Sequence, residues 1–231
     1  MSENWVEEVL SFWFGELSEE DWFTRSDATD AAIRDRFEPL YRKIRAGVPA
    51  AAFKEPRAAL AATIALDQFP RNMFRGKSEA FATDDQAIDV ARKALAGKLD
   101  EKLAEAEKQF LYMPFMHSEV LADQERSVAL FRAQDGGKNE KYAVEHRDIV
   151  ARFGRFPHRN KTLGRESTPA ERVFLLHPPG IGPSARERCP PRSPANRSPR
   201  SKSSKWTSPL PVCVYCSRQS GGGLNSCPAA C

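Results

Sequence analysis

KYAVEHRDIVARFG, residues 141–154, sets Tyr142, His146, Ile149, Val150 and Phe153 on one side of a helix, opened by Asn139 and closed by Gly154. The same spacing recurs in both directions along the chain. Towards the N-terminus it carries Val6, Val9, Leu10 and Trp13, then Ile33, Phe37, Leu40, Tyr41 and Ile44, then Ile88, Ala91 and Leu95, then Leu103, Ala106 and Phe110. After it comes a last run with Val173, Phe174 and Leu175, and a run with Leu121, Val128 and Phe131 lies just before it. Period-2 alternation of any length is absent. The pattern predicts an all-α protein, an antiparallel array of about eight or nine helices joined by short loops.

Breakers and caps mark the boundaries. The first helix is expected to begin behind Ser2 and to stop at Gly15 as a left-handed terminal residue. Pro39 predicts a kink or a helix split in two. A third helix starts near Pro56 and is expected to end by Phe69, because Pro70 disfavours helical backbone before it. Pro114 is expected to interrupt the helix that passes Phe110, which places His117 near the start of the next one. Thr83-Asp84-Asp85-Gln86 and Thr168-Pro169-Ala170-Glu171 both read as capping boxes.

Composition divides the chain. Residues 1–177 hold 27 basic and 30 acidic side chains, a balance of −3, and residues 178–231 hold 8 basic and 1 acidic, a balance of +7. All five Cys and 10 of the 17 Pro lie in the second part, which has no Phe and cannot bury enough apolar surface to offset the entropy of ordering. The expected organisation is therefore a helical domain over 1–177 and a disordered, low-complexity Pro/Arg/Ser/Cys tail over 178–231. The tail imitates zinc spacing at Cys213, Cys216, Cys227 and Cys231, but in so apolar-poor a segment this predicts neither a metal site nor specific nucleic-acid binding. No run of about 18 apolar residues exists and the N-terminus lacks the order of a secretory signal, so the expectation is a cytoplasmic protein with no membrane contact.

Two phrases echo one another. Phe69-Pro70-Arg71-Asn72 is followed by Arg75 and Gly76, and Phe156-Pro157-His158-Arg159-Asn160 by Gly164 and Arg165; each precedes one of the Thr-led caps. Two arginine-bearing loops flanked by helices are thus expected to face each other. The segments LDQFPRNMFRG (66–76), FLYMPFMHSE (110–119), ADQERSV (122–128) and HRDIVARFGRFPHRNKTLGREST (146–168) resemble the bacterial and plant family catalogued as domain of unknown function family 924, over about Trp5 to Leu175. The resemblance implies a tetratricopeptide-like right-handed array of helix pairs, and no established activity, substrate or cofactor. Its members usually end soon after the helix that follows GREST, and the composition beyond is what a GC-rich gene yields when read out of frame; a frameshifted tail is the expected origin.

The candidate site is polar. Arg71, Arg75, Arg155, Arg159 and Arg165 place five guanidinium groups in two short loops of a net-acidic domain, where a bidentate fork matches carboxylate or phosphate. Asn72 and Asn160 lie beside them as further ligand-binding candidates. His117 and His158 are the candidate acids or bases, and Asp67 or Asp148 the groups that orient them; the alternative role of these acids is to brace the arginines. His146 reads as a buried core histidine. A metal is not expected, because His117 with Glu119, or His146 with Asp148, lie about 200° apart on an ideal helix. The leading expectation is a pocket for a small anionic metabolite or phosphate ester, with acid/base hydrolysis as the reaction class and no cofactor. The alternative is a non-catalytic tetratricopeptide-like module that grips an acidic peptide or protein partner.

Overall fold

A computed structural model describes residues 4–134, 137 and 139–176. Ser2, His177 and the tail over 178–231 lie outside the described residues. The described chain is all-α, with no strand. Its α-helical segments are α1 (Trp5–Ser11), α2 (Glu19–Phe23), α3 (Asp27–Ala46), α4 (Pro56–Thr63), α5 (Phe69–Met73), α6 (Asp84–Ala96), α7 (Glu105–His117), α8 (Leu121–Ala133), α9 (Glu140–Phe153) and α10 (Pro169–Leu176). A π turn, Phe12–Glu16, extends α1, and another, Ile64–Gln68, joins α4 to α5, so the described chain forms nine continuous rods. None is long and apolar enough to cross a membrane.

The rod of α4 and α5 occupies the centre. Ala58, Ala59, Leu60, Ala61, Ala62, Thr63 and Ile64 are all buried, and a helix buried all round needs small side chains where its neighbours approach. Here α1, α6 and α7 pack on α4, while α3 packs on α5. The aromatic N-terminal stretch fills one flank: Phe12 and Trp13 meet Phe37, Phe69 and Phe110, with Trp13 edge-on to Phe110 at 5.4 Å. On the far side α7 packs on α8 and α8 on α9. Tyr142, His146, Ile149 and Val150 form the buried face of α9, as their spacing predicts, and Gly154 ends it in the left-handed region at φ 68°.

Four boundaries differ from expectation. Gly15 does not end its helix, because the π turn carries the backbone on to Glu16 before Leu17 turns extended. Pro114 lies inside α7, which therefore runs on to His117; of the two outcomes expected at Pro39 the split does not occur, since α3 runs through it. Pro70 does not terminate the central rod either. The π turn bonds Phe69 N–H to the carbonyl of Ile64, five residues back, and this widening relieves the clash a proline ring makes with the carbonyl four residues before it.

That carbonyl belongs to Leu66, and it accepts the Thr83 hydroxyl at 2.6 Å. The bond explains a fourth difference. Thr83 makes no side-chain cap to α6, and Gln86 donates to the carbonyl of Arg45, so the first capping box does not form. The second does, through Thr168 N–H to Glu171 and Glu171 N–H to the Thr168 hydroxyl. Thr83→Val keeps the shape and removes the buried donor, and is expected to lower unfolding free energy by about 1–3 kcal/mol in urea titration; no loss would show that Leu66 does not depend on this bond.

Candidate functional site

Consecutive carbonyls at the widened turn each accept a side-chain donor. Beyond Leu66, the Asp67 carbonyl accepts Arg71 Nη1 at 2.8 Å and the Gln68 carbonyl accepts Asn72 Nδ2 at 3.0 Å. The Asp67 carboxylate, wholly buried, sits at this turn. Gln68 Nε2 donates to its Oδ2 at 2.6 Å, Arg71 Nη1 lies 3.2 Å from its Oδ1, and His117 Nδ1 lies 2.8 Å from the same oxygen. Burial alone would raise the Asp67 pKa, but the charge of Arg71 and the contacts with His117 and Gln68 bring it down to about 2. The carboxylate is therefore ionised and can only accept, so His117 donates through Nδ1–H.

His117 ends α7 and is as deeply buried as its partner. Burial and the neighbouring Arg71 charge push its pKa down against the opposing pull of Asp67. A neutral ring with its proton on Nδ1 presents Nε2 as a bare lone pair, and Nε2 has no hydrogen-bond partner among the described residues. Asp67 thus fixes the tautomer, the arrangement that lets a carboxylate hold an imidazole as a base.

The second arginine loop reaches the same place. Asp84, the first residue of α6, accepts Arg71 Nη1 at 2.8 Å and Nη2 at 3.1 Å, and also Arg159 Nη1 at 3.2 Å. Arg159, on the 3₁₀ turn Pro157–Arg159, has its guanidinium between two rings, 4.6 Å from the centroids of Phe81 and Phe156. His146 packs edge-on to Phe156 at 5.6 Å and contacts the Tyr142 carbonyl through Nδ1 at 2.7 Å. Two chain segments far apart in sequence thus meet around one carboxylate.

The other expected site residues are placed elsewhere or engaged. Asp148 is exposed and pairs with Arg147, outside the cluster. His158 packs against Phe156, with ring centroids 5.4 Å apart. Arg75 is held bidentately by Asp30 and also donates to Asn72 Oδ1. Arg155 forks onto Glu171 and Arg165 onto Glu119, whose other task is to accept Phe156 N–H. Asn160 donates to Ser167. Gly164, at φ 66°, turns the chain so that Arg165 folds back onto Glu119 and the Phe156 carbonyl. These bonds build the second loop into a rigid platform for Arg159. A surface depression of about 530 Å³ lies near α10, lined by Arg152, Phe153, Arg155 and Glu171, and does not include the Asp67–His117 pair.

Sequence reasoning missed Phe81 and gave Asp84 only a place in a capping box or, with Asp67, Glu79, Asp148 and Glu166, the role of an internal partner that braces the arginines. The bracing half is what the structure shows, and nothing local distinguishes Phe81 from a packing residue. No group of three or more potential metal-binding side chains occurs among the described residues.

Residues 9–179 match the family model described as bacterial protein of unknown function, DUF924. The chain belongs to this family. A solved structure supports the architecture: the protein of unknown function ATU0120 from Agrobacterium tumefaciens is 38% identical, with a TM-score of 0.70 over 74% of this chain and 96% of that one. No curated protein matches. Membership in DUF924 fixes the fold and brings no activity with it, so function rests on the cluster itself.

Proposed function

We propose that this DUF924 protein binds a small anionic metabolite or phosphate ester where its two arginine loops meet, and that Asp67 and His117 perform acid/base chemistry there, hydrolysis first among the reactions to test. Arg71 and Arg159 neutralise the anion, Asp67 orients the imidazole, and His117 Nε2 takes a proton from a hydroxyl or water. The observation that carries this reading is the double engagement of Arg71. One guanidinium holds the carboxylate that orients the base and, on its other side, the carboxylate it shares with Arg159. A base and a cationic pair in one network match the needs of a reaction on an anionic substrate.

An acidic-peptide clamp is less well supported, because Arg75, Arg155 and Arg165 are each already matched one-to-one by a carboxylate. Thermal-shift screening of the full chain against phosphate monoesters and carboxylates tests the proposal. A ligand at about 100 times its Kd stabilises the folded state by about 2.7 kcal/mol, a readable shift. It is expected for wild type and for His117→Gln but not for Arg71→Ala/Arg159→Ala, and turnover is expected for wild type only. If no compound shifts wild type more than the double variant, the reading fails.

A further inference from the structure

We infer that Asp84 is the resident occupant of the anion position, so that a ligand binds by displacing it, and that the group recognised is a carboxylate or a phosphate oxyanion able to bridge two guanidiniums. This inference rests on the function proposed above and names the chemistry of that site.

The geometry of Asp84 is that of a bound anion. Its two oxygens take both terminal nitrogens of Arg71, a fork that suits a carboxylate, and one of them is shared with Arg159. Asp84 is the first residue of α6, and the hydrogen bonds of its carboxylate run to the two arginines, while Thr83 makes no side-chain cap at that helix end.

The cationic pair is held by other means. Arg71 is anchored by the Asp67 carbonyl at 2.8 Å and the Asp67 carboxylate at 3.2 Å. Arg159 is held between Phe81 and Phe156, and its loop is braced by the Arg165–Glu119 and Arg155–Glu171 forks. Release of Asp84 therefore leaves both guanidiniums where they are, which is the preorganisation that a binding site requires.

Accessibility points the same way. The Asp84 side chain is 19% exposed, against 8% for Arg71, 4% for Arg159 and 0% for Asp67. It is the outermost member, placed to swing into solvent while the cations stay. An incoming oxyanion then takes the two guanidiniums and lies beside the Asp67–His117 pair. Competition from Asp84 weakens binding of a simple anion and leaves room for a ligand whose remaining contacts make up the difference.

Isothermal titration of the full-length Asp84→Ala variant with inorganic phosphate and, separately, with acetate tests this, in chloride at constant ionic strength. One or both anions are expected to bind at least about tenfold more tightly than to wild type, because two buried cations have lost the carboxylate they share. The preferred anion identifies the recognised group. Asp84→Ala/Arg159→Leu is expected to lose the gain. Should Asp84→Ala fail to fold in chloride, recovery of folding when phosphate or acetate replaces chloride at equal ionic strength supports the inference, and Asp84→Asn, which keeps shape and loses charge, provides the titration. Affinity unchanged in Asp84→Ala, or in Asp84→Asn where the first does not fold, overturns it. Tighter phosphate binding by the variant with no metabolite recognised by wild type would sustain this inference while the proposed function fell; a metabolite that binds both proteins equally would do the reverse.

Discussion

Asp67→Ala is expected to unfold with about 3–5 kcal/mol less free energy than wild type at pH 7, read from urea titration. The size follows from what one carboxylate holds. Removing it takes the acceptor from His117 Nδ1–H and Gln68 Nε2 and an anionic partner from Arg71, all of them buried. A buried donor left without a partner costs about 1–3 kcal/mol, and an uncompensated buried charge more. Glu16→Ala gives the contrast. Glu16 also holds an arginine bidentately, but its partner Arg36 and Glu16 itself are 44% and 52% exposed, and water screens a pair so well solvated that its loss costs little. Burial, and not the number of ion-pair bonds, decides the difference. Acid should separate the two again. Because the folded-state pKa of Asp67 is lowered to about 2 from 3.8, its contribution is complete above 3.8 and is lost as pH falls towards 2. If Asp67→Ala loses no more than Glu16→Ala, the carboxylate is not the anchor of this network.

How much of this was legible beforehand depends on the range over which each residue acts. The apolar faces, such as Tyr142, His146, Ile149 and Val150 on α9, are read from spacing because a helix repeats locally. Pro70 and Pro114 were misread because their cost depends on what surrounds the helix. At Pro70 a π turn and a hydroxyl from Thr83, 17 residues beyond the Leu66 carbonyl it bonds, accommodate the ring, and no local pattern announces either. The same hydroxyl was assigned to a cap by local pattern, and tertiary competition drew it away.

The site shows the same division. The repeated phrase around Phe69 and Phe156 pointed to two loops that face each other, and Arg71 and Arg159 do meet at Asp84. Asp148 could have been set aside from sequence: two residues after His146 it lies about 200° round the helix, so a buried His146 turns Asp148 to solvent. The pairing of Asp67 with His117 spans 50 residues and was not derivable from spacing; only the chemistry of the residue types suggested it.

His146 carries the other large effect, a loss of about 3 kcal/mol of stability between pH 6.5 and pH 4. Burial is the main reason its pKa falls from 6.5 to about 4; the Tyr142 carbonyl opposes the fall, and the nearby charge of Arg159 adds to it. The sign follows from proton counting. Above 6.5 the ring is neutral in both the folded and the unfolded chain, and stability is indifferent to pH on its account. Between 6.5 and 4 the unfolded chain binds a proton that the folded one refuses, so unfolding gains ground as pH drops; below 4 both are protonated and the effect saturates. His117, whose pKa is also lowered, acts in the same direction. His146→Gln retains a donor for the Tyr142 carbonyl and cannot ionise. Urea titrations at pH 7 and pH 4.5 are therefore expected to show a steep loss in wild type and a clearly shallower one in His146→Gln. Equal slopes would mean that His146 is protonated in the fold despite its burial. The cluster around Arg159 would then hold a further cation, and the charge balance on which anion binding depends would shift in favour of the ligand.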